Sequence, residues 1–136
     1  MKIETRARAR AVQAVYAWDV TGGESLQKIA ERLWDDLVVG AEVRRLAGAL
    51  TTALTARGAE IDGLLRDTTT NWRLERLGAI ERSVLRVACA ELALGETPPK
   101  VVIQEAVRLT ERFGSEASAR FVNGVLDALA RRMGRL

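Results

Sequence analysis

The sequence has no histidine and one cysteine, Cys89. The missing histidine removes the commonest general base and the commonest metal ligand. A lone cysteine can form neither an intrachain disulfide nor a zinc-binding cluster. A serine or cysteine nucleophile would lack its usual basic partner. Cys89, set among Val87, Ala88 and Leu92, reads as a small buried apolar residue. Glycine-rich phosphate loops are missing too, since Gly22-Gly23 lacks the spacing of a P-loop or a dinucleotide fingerprint. The adjacent acids Asp35 and Asp36 would project about 100° apart from a helix and converge on nothing. These absences argue against an enzyme, and no cofactor or metal is expected.

Aromatic residues are also scarce, at 4%. The core must then be built from Ala, Leu, Val and Ile, which suits helix packing better than a β-sandwich. No apolar run approaches the roughly 18 residues needed to span a membrane. The start, MKIETRARAR, lacks the apolar centre of a signal peptide, so a cytoplasmic location with no membrane partner is expected. Hydrophobic residues make up 48% of the 136-residue chain, enough to argue against disorder and to fill one compact domain over residues 1–136.

The periodicity predicts an all-α, single-domain bundle of about seven helices. The first runs from about Ile3 to Trp18 and ends at Gly22-Gly23. The second is N-capped by Ser25 and carries Leu26, Ile29, Ala30, Leu33, Trp34 and Leu37. The third holds Val43 to Leu54 and stops near Gly58, and a short fourth holds Ile61, Leu64 and Leu65. After the polar run DTTTN, the fifth extends from about Leu74 to Leu94. Pro98 and Pro99 open the sixth, and Gly114 closes it. The seventh begins at Ser115 or Ser118 and buries Val122, Val125, Leu126, Leu129 and Met133. No stretch alternates with period two for long, and no internal repeat is visible.

The positive charge is almost all arginine, whose planar fork binds two phosphate oxygens at once and does not deprotonate. It gathers at the start, where Lys2, Arg6, Arg8 and Arg10 face the single acid Glu4 before Asp19. Arg6 and Arg10 are one turn apart and share a helix face. Arg8 lies about 160° from each of them, so the arginines are expected to flank the Ala-rich buried face. This is either a solvated basic surface or a phosphate-binding arm.

The segments NWRLERLGAIERSVLRVACAEL, PPKVVIQEAVRLTERFG and ARFVNGVLDALA follow one another in the C-terminal half. In this order they resemble the NusB family of bacterial transcription antitermination factors. RARARAVQAVYAWD resembles that family's first helix, so the similarity spans nearly the whole chain. It implies a helical, non-catalytic protein that binds single-stranded boxA RNA of rRNA leader transcripts with the ribosomal protein NusE. Other Nus factors would link that assembly to the RNA polymerase elongation complex. Carried over by position, the resemblance implies an arginine-rich RNA-binding motif at Arg6 and Arg8, an RNA-side aromatic at Phe121 and a protein-partner side around Glu81. Lys2, Gln13, Arg120 and Arg10, which stands where the family usually has Glu, are expected to join the RNA contacts, and Arg76 the partner surface. The chain departs from the pattern at Glu4 and Thr5, where further arginine is usual, at Ala90 for Tyr, and at Gln104 for Asn.

Individual residues in these segments also carry expectations. Gly124 inside a helix costs about 1 kcal/mol against Ala, which suggests close approach of another backbone. Glu91 is placed to pair with a basic neighbour. Phe121 lies off the row formed by Val122, Val125 and Leu129 and is expected to be partly exposed. Three alternatives stand beside the RNA-binding reading. One is the NusB-like N-terminal domain of an rRNA cytosine methyltransferase, and another is a helical adaptor without nucleic-acid binding. The third, a helix-turn-helix DNA reader, needs a polar recognition helix, and SARFVNG is too apolar and small for that.

Overall fold

The computed structural model describes residues 2–69 and 73–136. The described residues form six α-helices and one 3₁₀ turn: α1 Ile3–Thr21, α2 Leu26–Asp36, α3 Ala41–Thr68, the 3₁₀ turn Leu74–Arg76, α4 Ala79–Leu94, α5 Pro99–Phe113 and α6 Glu116–Arg132. Thr70 and Asn71 of the polar run, and Trp72 after it, lie outside the described residues, as does Met1. No described helix is long and apolar enough to cross a membrane.

The all-α expectation holds, with six helices among the described residues in place of seven. The expected third and fourth helices are one element. Arg57 alone leaves helical geometry (φ −123°, ψ 21°), and α3 continues beyond it. The reason is the buried row, which carries straight through the kink as Leu50, Leu54, Ile61 and Leu65. A single glycine, Gly58, costs a helix only about 1 kcal/mol, less than burying Ile61 and Leu65 returns.

The expected fifth helix is shorter at its start. Leu74–Arg76 form the 3₁₀ turn, Leu77 is extended, and Gly78 is the N-cap of α4. Arg82 fixes this corner by donating from Nη1 to the carbonyls of Leu74 (3.3 Å) and Leu77 (2.6 Å). Gly78 also makes room there, because a Cβ at that position would collide with the Glu81 carboxylate.

Helix α4 is the centre of the molecule. It packs against α1, α3, α5 and α6, and residues 83–85 and 87–92 within it are buried. A helix buried nearly all round belongs in an interior, and the small residues Ala88, Cys89 and Ala90 let its neighbours come close. Cys89 is fully buried, and burial pushes its thiol up to about 12, which suits an inert structural residue.

The termini of the elements follow the sequence signals. Ser25 and Ser115 cap α2 and α6 by accepting from the backbone N–H of Lys28 (3.2 Å) and Ser118 (3.1 Å). Gly95 closes α4 in the left-handed region at φ 73°, where a side chain would be strained. Pro98 and Pro99 start α5. Gly124 differs from expectation: it is exposed, and a Cβ built on it meets nothing within 4 Å. No described backbone crosses α6 there, so close packing does not explain this glycine.

Candidate nucleic-acid interface

Lys2, Arg6, Arg10, Gln13 and Tyr16 fall within a sector of roughly 120° on α1, at about 100° per residue. Lys2, Arg6 and Tyr16 are exposed, and Arg10 and Gln13 are half-buried. The opposite face holds Ala7, Ala11, Val12, Ala14 and Val15 in the core. Arg10 Nη1 donates to Gln13 Oε1 (3.1 Å), which lays both side chains along the outer face. Lys2, Arg6 and Arg10 form no ion pair with a carboxylate among the described residues, whereas exposed Arg32, Arg45, Arg57 and Arg131 do.

Arg8 does not flank the buried face as expected; it lies within it, 8% exposed. Its guanidinium donates from Nε and Nη2 to the two oxygens of Glu91 and from Nη1 to Glu105 Oε1 (3.0 Å). The Glu91 hydrogen bonds hold its pKa above the usual guanidinium value despite burial. Spacing alone put Arg8 opposite Arg6, but the two acids that draw it inward are 83 and 97 residues away in the chain. The expected pairing of Glu91 with a basic neighbour is therefore present.

A second polar cluster holds the other end of α1. Asp19 accepts from Arg82 Nη2 (2.5 Å) and Arg86 Nη1 (2.8 Å), and Arg86 also donates to both oxygens of Asp62 (2.9 and 3.1 Å). Arg86 lies 5.5 Å from the ring centroid of Trp18. The Arg82 hydrogen bond is the main reason that Asp19 sits below the usual carboxylate range.

Between α1 and α5 lies a groove of about 570 Å³, whose lining includes Lys2, Thr5, Gln104, Glu105, Arg108 and Arg112. Arg108 and Arg112 are exposed and one turn apart. Neither stood out in the sequence, although their i, i+4 spacing in VRLTERFG was a visible sign of a shared face. Tyr16 did not stand out either.

The remaining expected residues lie elsewhere. Arg120 is exposed on α6, and Phe121 beside it is half-buried against the core. Arg76 is exposed on the 3₁₀ turn. Glu81, in the first turn of α4, accepts from Ser118 Oγ (2.5 Å), which ties α4 to the start of α6. The structure thus gathers Lys2, Arg6, Arg10 and Gln13 on one helix face, sends Arg8 inside, and sets Arg76 and Glu81 on consecutive elements.

Comparison with known proteins agrees with this architecture. The NusB family matches residues 5–131. A transcription antitermination protein NusB of Anaeromyxobacter dehalogenans is 42% identical over 127 residues, covering 93% of this chain and 89% of that protein. That of Sorangium cellulosum is 36% identical and covers 100% and 97%. Among solved structures, antitermination factors NusB and NusE in complex with dsRNA include a chain that superposes with a TM-score of 0.89 at 27% identity, covering 97% of this chain and 98% of that one. NusB of T. maritima superposes with a TM-score of 0.87 at 30% identity, covering 94% and 90%. With the family matched over nearly the whole length and the helices superposed throughout, this chain belongs to the NusB family.

Proposed function

We propose that this chain is a non-enzymatic transcription antitermination factor that binds boxA-type single-stranded RNA together with the ribosomal protein NusE. It acts in the bacterial cytoplasm as one RNA-binding domain over residues 1–136, and joins the elongation complex through other Nus factors. The observation that carries this reading is the outer face of α1, where Lys2, Arg6 and Arg10 keep charges that no described carboxylate neutralises. Such charges bind a phosphate backbone and release its counterions. Arg120 and Phe121 on α6 add a cation and a ring for base stacking. Arg76 and Glu81 face the protein partner. Arg8 serves the site from inside by fixing the orientation of α1.

The curated relatives carry antitermination names and are spanned by this chain over 89–97% of their length, which favours this reading over a methyltransferase domain. A related NusB–NusE pair has been solved with double-stranded RNA, so duplex RNA belongs in the test. Fluorescence anisotropy with a boxA-like strand, its duplex and duplex DNA, with and without NusE, checks the proposal. The expected result is salt-dependent binding to the RNA strand, strengthened by NusE. Equal binding to duplex DNA, or no RNA binding with NusE present, overturns it.

A further inference from the structure

We propose that the groove between α1 and α5 seats one nucleotide of the bound RNA, with Arg108 and Arg112 on its phosphate and Glu105 accepting a hydrogen bond from the nucleotide. This rests on the RNA-binding reading above and adds a second helix to it.

The floor and the rim of the groove differ in charge. On the floor, Glu105 Oε1 accepts from Thr5 Oγ1 and from Arg8 Nη1 (3.0 Å). Its other oxygen, Oε2, is buried and accepts no hydrogen bond from any described residue. Arg108 Nη1 forms an ion pair with Oε2 at 3.6 Å, beyond hydrogen-bonding distance. The Glu105 side chain is 10% exposed, while that of Arg108 is 71% exposed. Arg8 is shared between Glu91 and Glu105, so the buried trio carries a net negative charge. The rim carries Lys2, Arg108 and Arg112.

A buried acceptor without a hydrogen-bond donor is costly, and Glu105, which carries it, lines an open groove whose volume falls within the range of ligand sites. The floor therefore calls for a donor and the rim for an anion. A free phosphate meets the second demand and is repelled by the first. A nucleotide meets both, because its phosphate is anionic and its ribose 2′-hydroxyl or a base N–H donates. When Arg108 turns outward to a phosphate, the approach to Oε2 opens.

The test measures binding to one single-stranded RNA and to its DNA and 2′-O-methyl counterparts across a salt series. For the double variant Arg108→Ala/Arg112→Ala, the log–log salt slope should flatten by about 1.4, at roughly 0.7 per lost phosphate contact, with the melting temperature unchanged. For Glu105→Gln, which replaces the acceptor with a donor, affinity should fall about tenfold, as for a hydrogen bond to a charged group. If that loss is confined to RNA and removes its preference over DNA and the 2′-O-methyl strand, the donor is the 2′-hydroxyl. If the loss is equal for all three strands, the donor is a base N–H. Should Glu105→Gln fail to fold, the double arginine variant decides. Wild-type slope and affinity in that variant overturn the groove, and if Arg6→Ala, outside the groove lining, still weakens binding, the α1 reading survives. Failure of the wild-type protein to bind RNA removes both.

Discussion

Arg8 on α1 grips Glu91 on α4 through two parallel hydrogen bonds, Nε to Oε1 at 2.8 Å and Nη2 to Oε2 at 2.7 Å. Both side chains are 10% exposed. Removing one partner of such a pair leaves an uncompensated buried charge. Arg8→Ala should therefore lower stability by about 3–5 kcal/mol, read from urea denaturation. A loss below about 1 kcal/mol would mean that water reaches the acids freely.

Arg6 and Lys2 are exposed, and their substitution should act on binding alone. Arg6→Ala or Lys2→Ala should each flatten the salt dependence of single-strand binding by about 0.7 in log–log slope. Their melting curves should match the wild type. Unchanged slopes for both would remove α1 from the RNA interface.

Phe121 is half-buried, so Phe121→Ala should cost less stability than the 3–5 kcal/mol typical of a fully buried phenylalanine. RNA binding should weaken by about 1–3 kcal/mol with little change in salt slope. A variant that melts early but binds as well as wild type below its transition would make the ring purely structural.

Asp19 gives the protein an acid-side dependence. Its folded pKa is depressed below the ordinary value of 3.8, first by the Arg82 hydrogen bond. The resulting stability is complete above the unfolded value and is lost as pH falls through the folded one. Denaturation midpoints should drop below about pH 4, and Asp19→Asn should flatten that drop. An equally steep acid limb in Asp19→Asn would assign it to other carboxylates.

Gly124 has open space where a Cβ would go. Gly124→Ala should raise stability by about 0.5–1 kcal/mol, because a helix-interior glycine loses more backbone entropy on folding than alanine does. A lower urea midpoint would reveal a steric demand at this site.

The helices were legible because their apolar periods and caps are local. Ser25, Ser115 and the Pro98-Pro99 pair each mark an end that the structure keeps. The merger at Arg57 was hidden because Gly58 looks like a stop, while the row that overrides it spans two full turns between Leu54 and Ile61. Gly124 misled in the opposite sense, since a glycine's cost says nothing of what lies beside it. In the candidate site, the angular split between Arg6 and Arg8 was visible in their spacing. Which of the two turns inward was not, because Glu91 and Glu105 reach Arg8 only through the tertiary fold.

Helix α1 is fastened twice, by Arg8 to α4 and α5 and by Asp19 to α4. The two anchors are eleven residues apart, or roughly 16 Å along the axis at 1.5 Å per residue. Of the outer-face cations, Arg10 lies within this span, and Arg6 and Lys2 lie just before it. An RNA strand arriving there meets cations whose backbone is already fixed in place. The ordering cost of that helix falls on folding, so it is not subtracted from the affinity for RNA.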